Sequence, residues 1–280
     1  MADVAVIFPV HNESWLIGSV LGQVTDFARS HPEWTFVFVD DGSSDDTVDL
    51  IRAHLDRETI TGRIELMPLL PNRGKAGAIR EAMLSREEDV LLFTDGDLAY
   101  PLEHLPHLVD ALESSDVAIG SRALAEGPQT NITTVRRLVG STFNLLVRLI
   151  TGLPYRDTQA GLKGFRRNAA RSLFQQQRIR DFAFDAELLF LAKRQHLTVT
   201  EIPAHVSARH SYKKSRVNML RDPARMLASL VWMRMIHRGS SRTPQPTVDE
   251  KKTTPVMTDG LVEPKPSPQE ARERQRTLQR

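Results

Sequence analysis

Apolar residues fall in short runs separated by polar turns along the first hundred positions. Residues 4–10 (Val-Ala-Val-Ile-Phe-Pro-Val) read as a buried strand, and 13–30 as a helix with Trp15, Leu16, Val20, Val24 and Phe27 at helical spacing. A second strand at 35–39 stops at Asp40-Asp41-Gly42-Ser43-Ser44-Asp45-Asp46, whose Ser and Asp side chains suit the cap of a helix over 47–55. A short strand near 63–67, a loop at 71–75, a helix over 77–85 and a strand at 89–94 follow. This alternation predicts a mainly parallel α/β sheet with helices on both faces. The second half is less regular. It reads as a strand at 116–120, a basic loop at 121–137, a helix at 138–150, a segment at 155–165 with no assigned element, helices near 168–175 and 184–195, a strand at 197–207 and a helical stretch at 219–237. From 240 to 280, Pro, Thr, Lys, Glu and Arg dominate and large apolar residues are few, the composition of a disordered tail.

The chain has 280 residues, 40% hydrophobic and 26% charged, enough for one sizeable core. Its 37 basic and 35 acidic residues leave a formal charge of +2, which gives no indication of nucleic acid as a partner. With no cysteine, disulfides, thiolate zinc sites and a cysteine nucleophile are excluded. No signal-type segment opens the chain and no uncharged apolar run reaches about 18 residues, so a cytoplasmic protein without a membrane span is expected.

In sheets of this kind, ligands gather at the carboxyl ends of the strands. Asp95-Gly96-Asp97 stands at such an end, directly after Val90-Leu91-Leu92-Phe93-Thr94. Alternation along a strand puts both carboxylates on one side, an arrangement suited to a hard divalent cation that shares phosphate oxygens. Asp-Gly-Asp is also ordinary turn chemistry. Asp41 stands where a carboxylate can accept hydrogen bonds from a nucleoside, whereas Asp45 and Asp46 read as helix caps. Lys75 offers a cation for a diphosphate, in a loop that lacks Walker spacing. Arg122, Arg136 and Arg137 offer planar forks for phosphate, with solvated surface arginines as the alternative. Asp185 and Glu187 open a helix, as dipole partners or, for Asp185, in a direct role. The run 226–233, flanked by Arg221, Arg225, Arg234 and Arg238, suits a helix lying in a membrane surface or one packed on the core.

The motifs at 8–13 (Phe-Pro-Val-His-Asn-Glu), 39–45 (Val-Asp-Asp-Gly-Ser-Ser-Asp), 72–78 (Asn-Arg-Gly-Lys-Ala-Gly-Ala), 95–97 and 120–122 (Gly-Ser-Arg) together resemble inverting family 2 glycosyltransferases of the GT-A fold. Segments 156–165 and 182–189 narrow the resemblance to the dolichyl-phosphate β-glucosyltransferases and their prokaryotic relatives. It runs over roughly residues 3–238. It implies a GT-A domain over 1–215, an amphipathic region over 216–239 contacting a membrane surface, and the tail beyond. It also implies transfer of a sugar, foremost glucose from UDP-glucose, to a polyprenyl or dolichyl phosphate with inversion, by a protein peripheral to the cytoplasmic membrane face.

By the same resemblance, Pro9, Glu13 and Asp41 line the nucleoside pocket with Lys75 nearby, and Asp95 and Asp97 hold Mg²⁺ or Mn²⁺, Asp97 being the foremost ligand. Arg122 with Arg136 or Arg137 binds phosphate, and Arg209 and Lys214 face the lipid phosphate. Asp157 belongs to the acceptor-side motif, and Asp97, Asp157 and Asp185 are the candidate catalytic residues. Two departures stand out. Ala99 replaces a polar residue of mannosyl relatives, so metal affinity without nucleotide should be weak, and the N-terminal anchor of eukaryotic glucosyl relatives is not seen. GDP-mannose as donor, nucleotidyl transfer to a sugar phosphate, and non-catalytic binding of a nucleotide sugar remain as alternative readings.

Overall fold

The computed structural model describes residues 2–57, 63–125, 144–181, 183–207 and 222–237, all within one compact unit, Met1–Pro244. The tail expected over 240–280 lies outside the described residues, as do Arg136, Arg137, Arg209 and Lys214. Seven strands form one sheet in the order β3-β2-β1-β4-β6-β5-β7. They are β1 (Val4–Val10), β2 (Trp34–Asp40), β3 (Ile64–Pro68), β4 (Val90–Thr94), β5 (Val117–Ser121), β6 (Leu162–Arg166) and β7 (Val199–Pro203). The helices are α1 (Ser14–Ser30), α2 (Thr47–Arg57), α3 (Gly74–Ser85), α4 (His104–Leu112), α5 (144–151), α6 (Arg167–Gln176), α7 (Phe184–Arg194) and α8 (Asp222–Ile236).

The apolar runs become strands because both faces of the sheet are covered. Ala5, Ile7, Val37, Val39, Leu91 and Phe93 point into one core, against α3, α6 and α7. Val4, Val6, Phe8, Phe36, Phe38 and Leu92 point into the other, against α1 and α4. Phe8 stacks on Phe38 with ring centroids 5.1 Å apart. Each such ring is fully buried, which is worth roughly 1.5–3 kcal/mol of transfer free energy.

Several expectations are corrected. Segment 155–165, to which the sequence pattern assigns no element, ends in β6, which runs antiparallel between β4 and β5. The interior glycine and lysine of Leu-Lys-Gly-Phe-Arg hide a strand from a propensity reading. Packing decides it, since a Cβ on Gly164 would stand 2.6 Å from Leu92 Cδ2. Helix α4 was not foreseen. Helix α3 begins at Gly74, so Gly74 and Lys75 belong to its first turn and not to a loop. Trp15 is 64% exposed, and the buried face of α1 is Ile17, Val20, Leu21, Val24 and Ala28.

Helix α8 does pack on the core, through fully buried Leu230 and Met233, while Val231, Trp232 and Met235 are exposed. Its end is tied down by Glu187, a buried carboxylate in the first turn of α7. Glu187 accepts from the backbone N–H groups of Arg178 and Ile179 and contacts His237 Nε2 at 2.7 Å. Glu187 is therefore more than a dipole partner. Removing it strands buried donors, so Glu187→Ala is expected to lower the unfolding free energy by about 3 kcal/mol in urea titration, and Glu187→Gln by less because one acceptor remains.

Candidate functional site

Strand order reverses at β1, which has β2 on one side and β4 on the other. The crevice outside the carboxyl ends at such a point is the natural ligand site of an open α/β sheet. A cleft of about 390 Å³ lies there, lined by residues that include Pro9, His11, Glu13, Asp41, Asn72, Lys75, Asp95 and Asp97. Six of the residues expected to bind substrate or metal thus stand in one place: Pro9, Glu13, Asp41, Lys75, Asp95 and Asp97.

The base of the cleft is set by the loops after β1 and β2. Asn12, at φ 53°, accepts from Ser44 N through Oδ1 at 2.8 Å and donates its own N–H to Ser43 Oγ at 2.9 Å. Asp45 caps two helices, accepting from Thr47 N and Ser14 N. Desolvation opposes its charge, but the hydrogen bonds from Thr47 and Ser14 prevail and hold it well below the usual carboxylate range. Capping was the role expected of it. Asp41 is buried, and its Oδ1 accepts from Arg73 N at 2.6 Å. Asn72 Nδ2 donates to the Asp41 carbonyl at 2.7 Å, and Asn72 Oδ1 accepts from Gly74 N at 3.1 Å, so the start of α3 is braced against the end of β2. The first turn of α3 therefore lines the cleft, where helix N–H groups favour an anion. His11 and Asn72 complete the wall. Both belong to the sequence motifs at 8–13 and 72–78, which by themselves assign them no role.

Gly96 lets the acidic turn close on β1. A Cβ there would stand 2.3 Å from the Pro9 carbonyl oxygen. Gly161, just before β6, does the same for Asp95, since a Cβ would stand 2.4 Å from Asp95 Oδ2. Asp95 forms an ion pair with Lys75 Nζ. Burial works against the Lys75 ammonium, yet Asp95, Asp185 and Asp97 together raise its pKa above the ordinary lysine value. Asp97 Oδ1 accepts from Ala99 N at 3.2 Å, as the turn reading expects. No cluster of three or more His, Cys, Asp or Glu side chains able to hold a metal occurs among the described residues. Two hard oxygen donors beside the start of α3 do fit a divalent ion that keeps waters and takes phosphate oxygens for its remaining sites.

The reversed strand β6 brings its entry, not its exit, to this edge, and with it Asp157. That carboxylate, 5% exposed, receives Arg122 Nε at 2.6 Å, Arg122 Nη2 at 2.9 Å and the Arg122 backbone N–H at 3.1 Å. Burial opposes the charge, but Arg122 prevails and holds Asp157 below the ordinary aspartate value. Glu201 of β7 accepts from the backbone N–H groups of Arg156 and Asp157 and fixes the loop from behind. Asp185, whose charge also acts on Lys75, receives Lys163 Nζ at 2.6 Å. Lys163 is fully buried, its ammonium also donating to the Ala160 carbonyl and lying 5.7 Å from the Phe93 ring centroid. Lys163 is not among the candidate residues that the sequence offers. A lysine flanked by apolar strand residues was the available signal.

Residues 5–174 match glycosyl transferase family 2. Over 214 residues the chain is 33% identical to dolichyl-phosphate beta-glucosyltransferase of Drosophila melanogaster, a match spanning 71% of this chain and 65% of that protein. Over 252 residues it is 30% identical to the protein of the same name from Saccharomyces cerevisiae, spanning 83% and 74%. Among solved structures, glucosyl-3-phosphoglycerate synthase of Mycobacterium tuberculosis, determined with Mn²⁺, UDP and phosphoglyceric acid, superposes with a TM-score of 0.60 at 18% identity, covering 85% of this chain and 79% of that one. That likeness establishes the shared GT-A fold.

The Arg122–Asp157 pair has a pH signature. A carboxyl lowered on folding stabilises fully above its unfolded value, near 3.8, and loses that contribution as pH falls through its folded value. In urea titrations, the stability gap between the unaltered protein and Arg122→Gln is expected to be widest near neutral pH and to narrow in acid. A gap independent of pH would show that the pairing contributes nothing.

Proposed function

The chain belongs to glycosyl transferase family 2, and on that premise we propose that it transfers glucose from UDP-glucose to a polyprenyl or dolichyl phosphate, giving a β-linked lipid-phosphate sugar. The observation that carries this reading is the convergence of Glu13, Asp41, Lys75, Asp95 and Asp97 on one cleft at the switch point of the sheet. The choice of glucose and of a lipid phosphate is supported by the names of the relatives from Drosophila and yeast. UDP-glucose and Mn²⁺ are found together in a solved structure of the mycobacterial synthase.

In this reading the nucleoside lies against Pro9, with Asp41 and Glu13 as acceptors for its N–H and hydroxyl groups. The diphosphate faces Lys75 and the first turn of α3. Mg²⁺ or Mn²⁺ held by Asp97 and Asp95 would neutralise charge developing on the departing diphosphate. The acceptor is a phosphate monoester with a second pKa near 6, so it is already mostly ionised at neutral pH and needs little help from a base. Asp157 and Asp185 are each committed to a cation, Arg122 and Lys163. Their proposed role is to orient groups and set the local field, not to remove a proton.

Contact with a membrane surface is part of the proposal. No helix among the described residues is long and apolar enough to cross a membrane. Exposed Leu145 and Leu149 on α5 and exposed Val231, Trp232 and Met235 on α8 support contact with a bilayer surface, and Arg234 links the two helices by donating to the Ile150 carbonyl at 2.5 Å.

Purified protein incubated with UDP-glucose, GDP-mannose and polyprenyl phosphate is expected to give a hexosyl lipid phosphate from UDP-glucose, identified by mass, and Asp97→Ala is expected to lose most of that activity. Product from GDP-mannose alone would reverse the donor assignment. Flotation with anionic vesicles is expected to carry the protein, and Trp232→Glu to reduce the floated fraction.

A further inference from the structure

Lys75 is paired with the carboxylate that a metal would need. It stands in the first turn of α3 with its side chain 38% exposed, open to a ligand in the cleft. Asp95 has little freedom to serve two cations. Its carboxylate is backed by the chain at Gly161, where even a Cβ would come within 2.4 Å of Oδ2 and 2.7 Å of Oδ1. A second anchorage for the ammonium lies close by. Asp185, held by buried Lys163, adds to the field at Lys75, and the Phe184 ring centroid is 5.9 Å from its Nζ.

We propose that Lys75 is a built-in competitor of the metal: its ammonium occupies Asp95 until a nucleoside diphosphate draws it away, so that divalent ion and diphosphate bind well only together. The inference rests on the assignment of Asp95 and Asp97 as metal ligands. Its physical basis is charge balance. A dication arriving alone meets the Lys75 ammonium and finds the Asp95 carboxylate already engaged. A diphosphate arriving with it supplies both oxygen ligands and a new partner for Lys75. The weak nucleotide-free affinity expected from Ala99 thereby gains a second cause, and one that a single substitution can remove.

Coupling of this kind is reciprocal: UDP raises the affinity for Mn²⁺ by the factor by which Mn²⁺ raises the affinity for UDP. The test is a titration of the full chain with Mn²⁺, with and without UDP, reading free Mn²⁺ by electron paramagnetic resonance. Without UDP, Lys75→Gln is expected to bind Mn²⁺ about tenfold tighter than the unaltered protein, as befits removal of one neighbouring positive charge. Lys75→Arg keeps the charge and is expected to bind Mn²⁺ as weakly as the unaltered protein. UDP is expected to strengthen Mn²⁺ binding far less in Lys75→Gln than in the unaltered protein. If the unaltered protein binds Mn²⁺ with UDP but Lys75→Gln shows no gain without it, the competition is overturned and the metal site stands. If the unaltered protein binds no Mn²⁺ even with saturating UDP, the metal assignment itself is overturned.

Discussion

Crowding of like charge at one edge of the sheet is the constraint on which the rest of the structure depends. Asp41, Asp95, Asp97, Asp157 and Asp185 all stand near the carboxyl ends of β1, β2 and β4 or beside the entry to β6. Two such charges 4 Å apart repel by about 4 kcal/mol at an effective dielectric of 20, a large fraction of the stability of an ordinary domain. The fold offsets this by interleaving cations. Lys75 meets Asp95, Lys163 meets Asp185 and Arg122 meets Asp157, each cation delivered by a different element. The pairing fixes the carboxylates in place at the same time.

These pairs are not equivalent. Lys163–Asp185 is sealed between the sheet and α7, so loss of either partner would leave a bare buried charge. Arg122 grips Asp157 through two side-chain nitrogens and its own backbone N–H, a geometry lysine could not reproduce. Lys75–Asp95 is the most open of the three and the only one that lines the cleft. Enclosure therefore increases with depth, and the most open contact is the one a ligand would meet first.

Close backbone approach is the second condition. The Asp95-Gly96-Asp97 turn can sit against β1 only because Gly96 has no Cβ to strike the Pro9 carbonyl. Asp95 in turn fits against the entry to β6 only because residue 161 is glycine. Both glycines were visible in the sequence. What each made room for was not, because the atoms it admits belong to strands distant in the chain.

The sequence by itself determined the parallel half of the sheet, the strand ends that carry Pro9, Glu13, Asp41, Asp95 and Asp97, and the membership in a transferase family, because uninterrupted apolar runs followed by acidic turns are local signals. It marked Asp45 as a cap for the same reason. Only the tertiary structure decided that β6 runs backwards between β4 and β5, that Gly74 and Lys75 belong to a helix, and that Asp157 and Asp185 are bound to Arg122 and Lys163. Ion pairing is settled by partners 20 to 35 residues away, and the direction of β6 by strands 44 to 76 residues away, through packing and charge balance that no local periodicity encodes. The same physics explains the misplaced Trp15: helical spacing names the residues of a face, and only the neighbouring elements decide which face is covered.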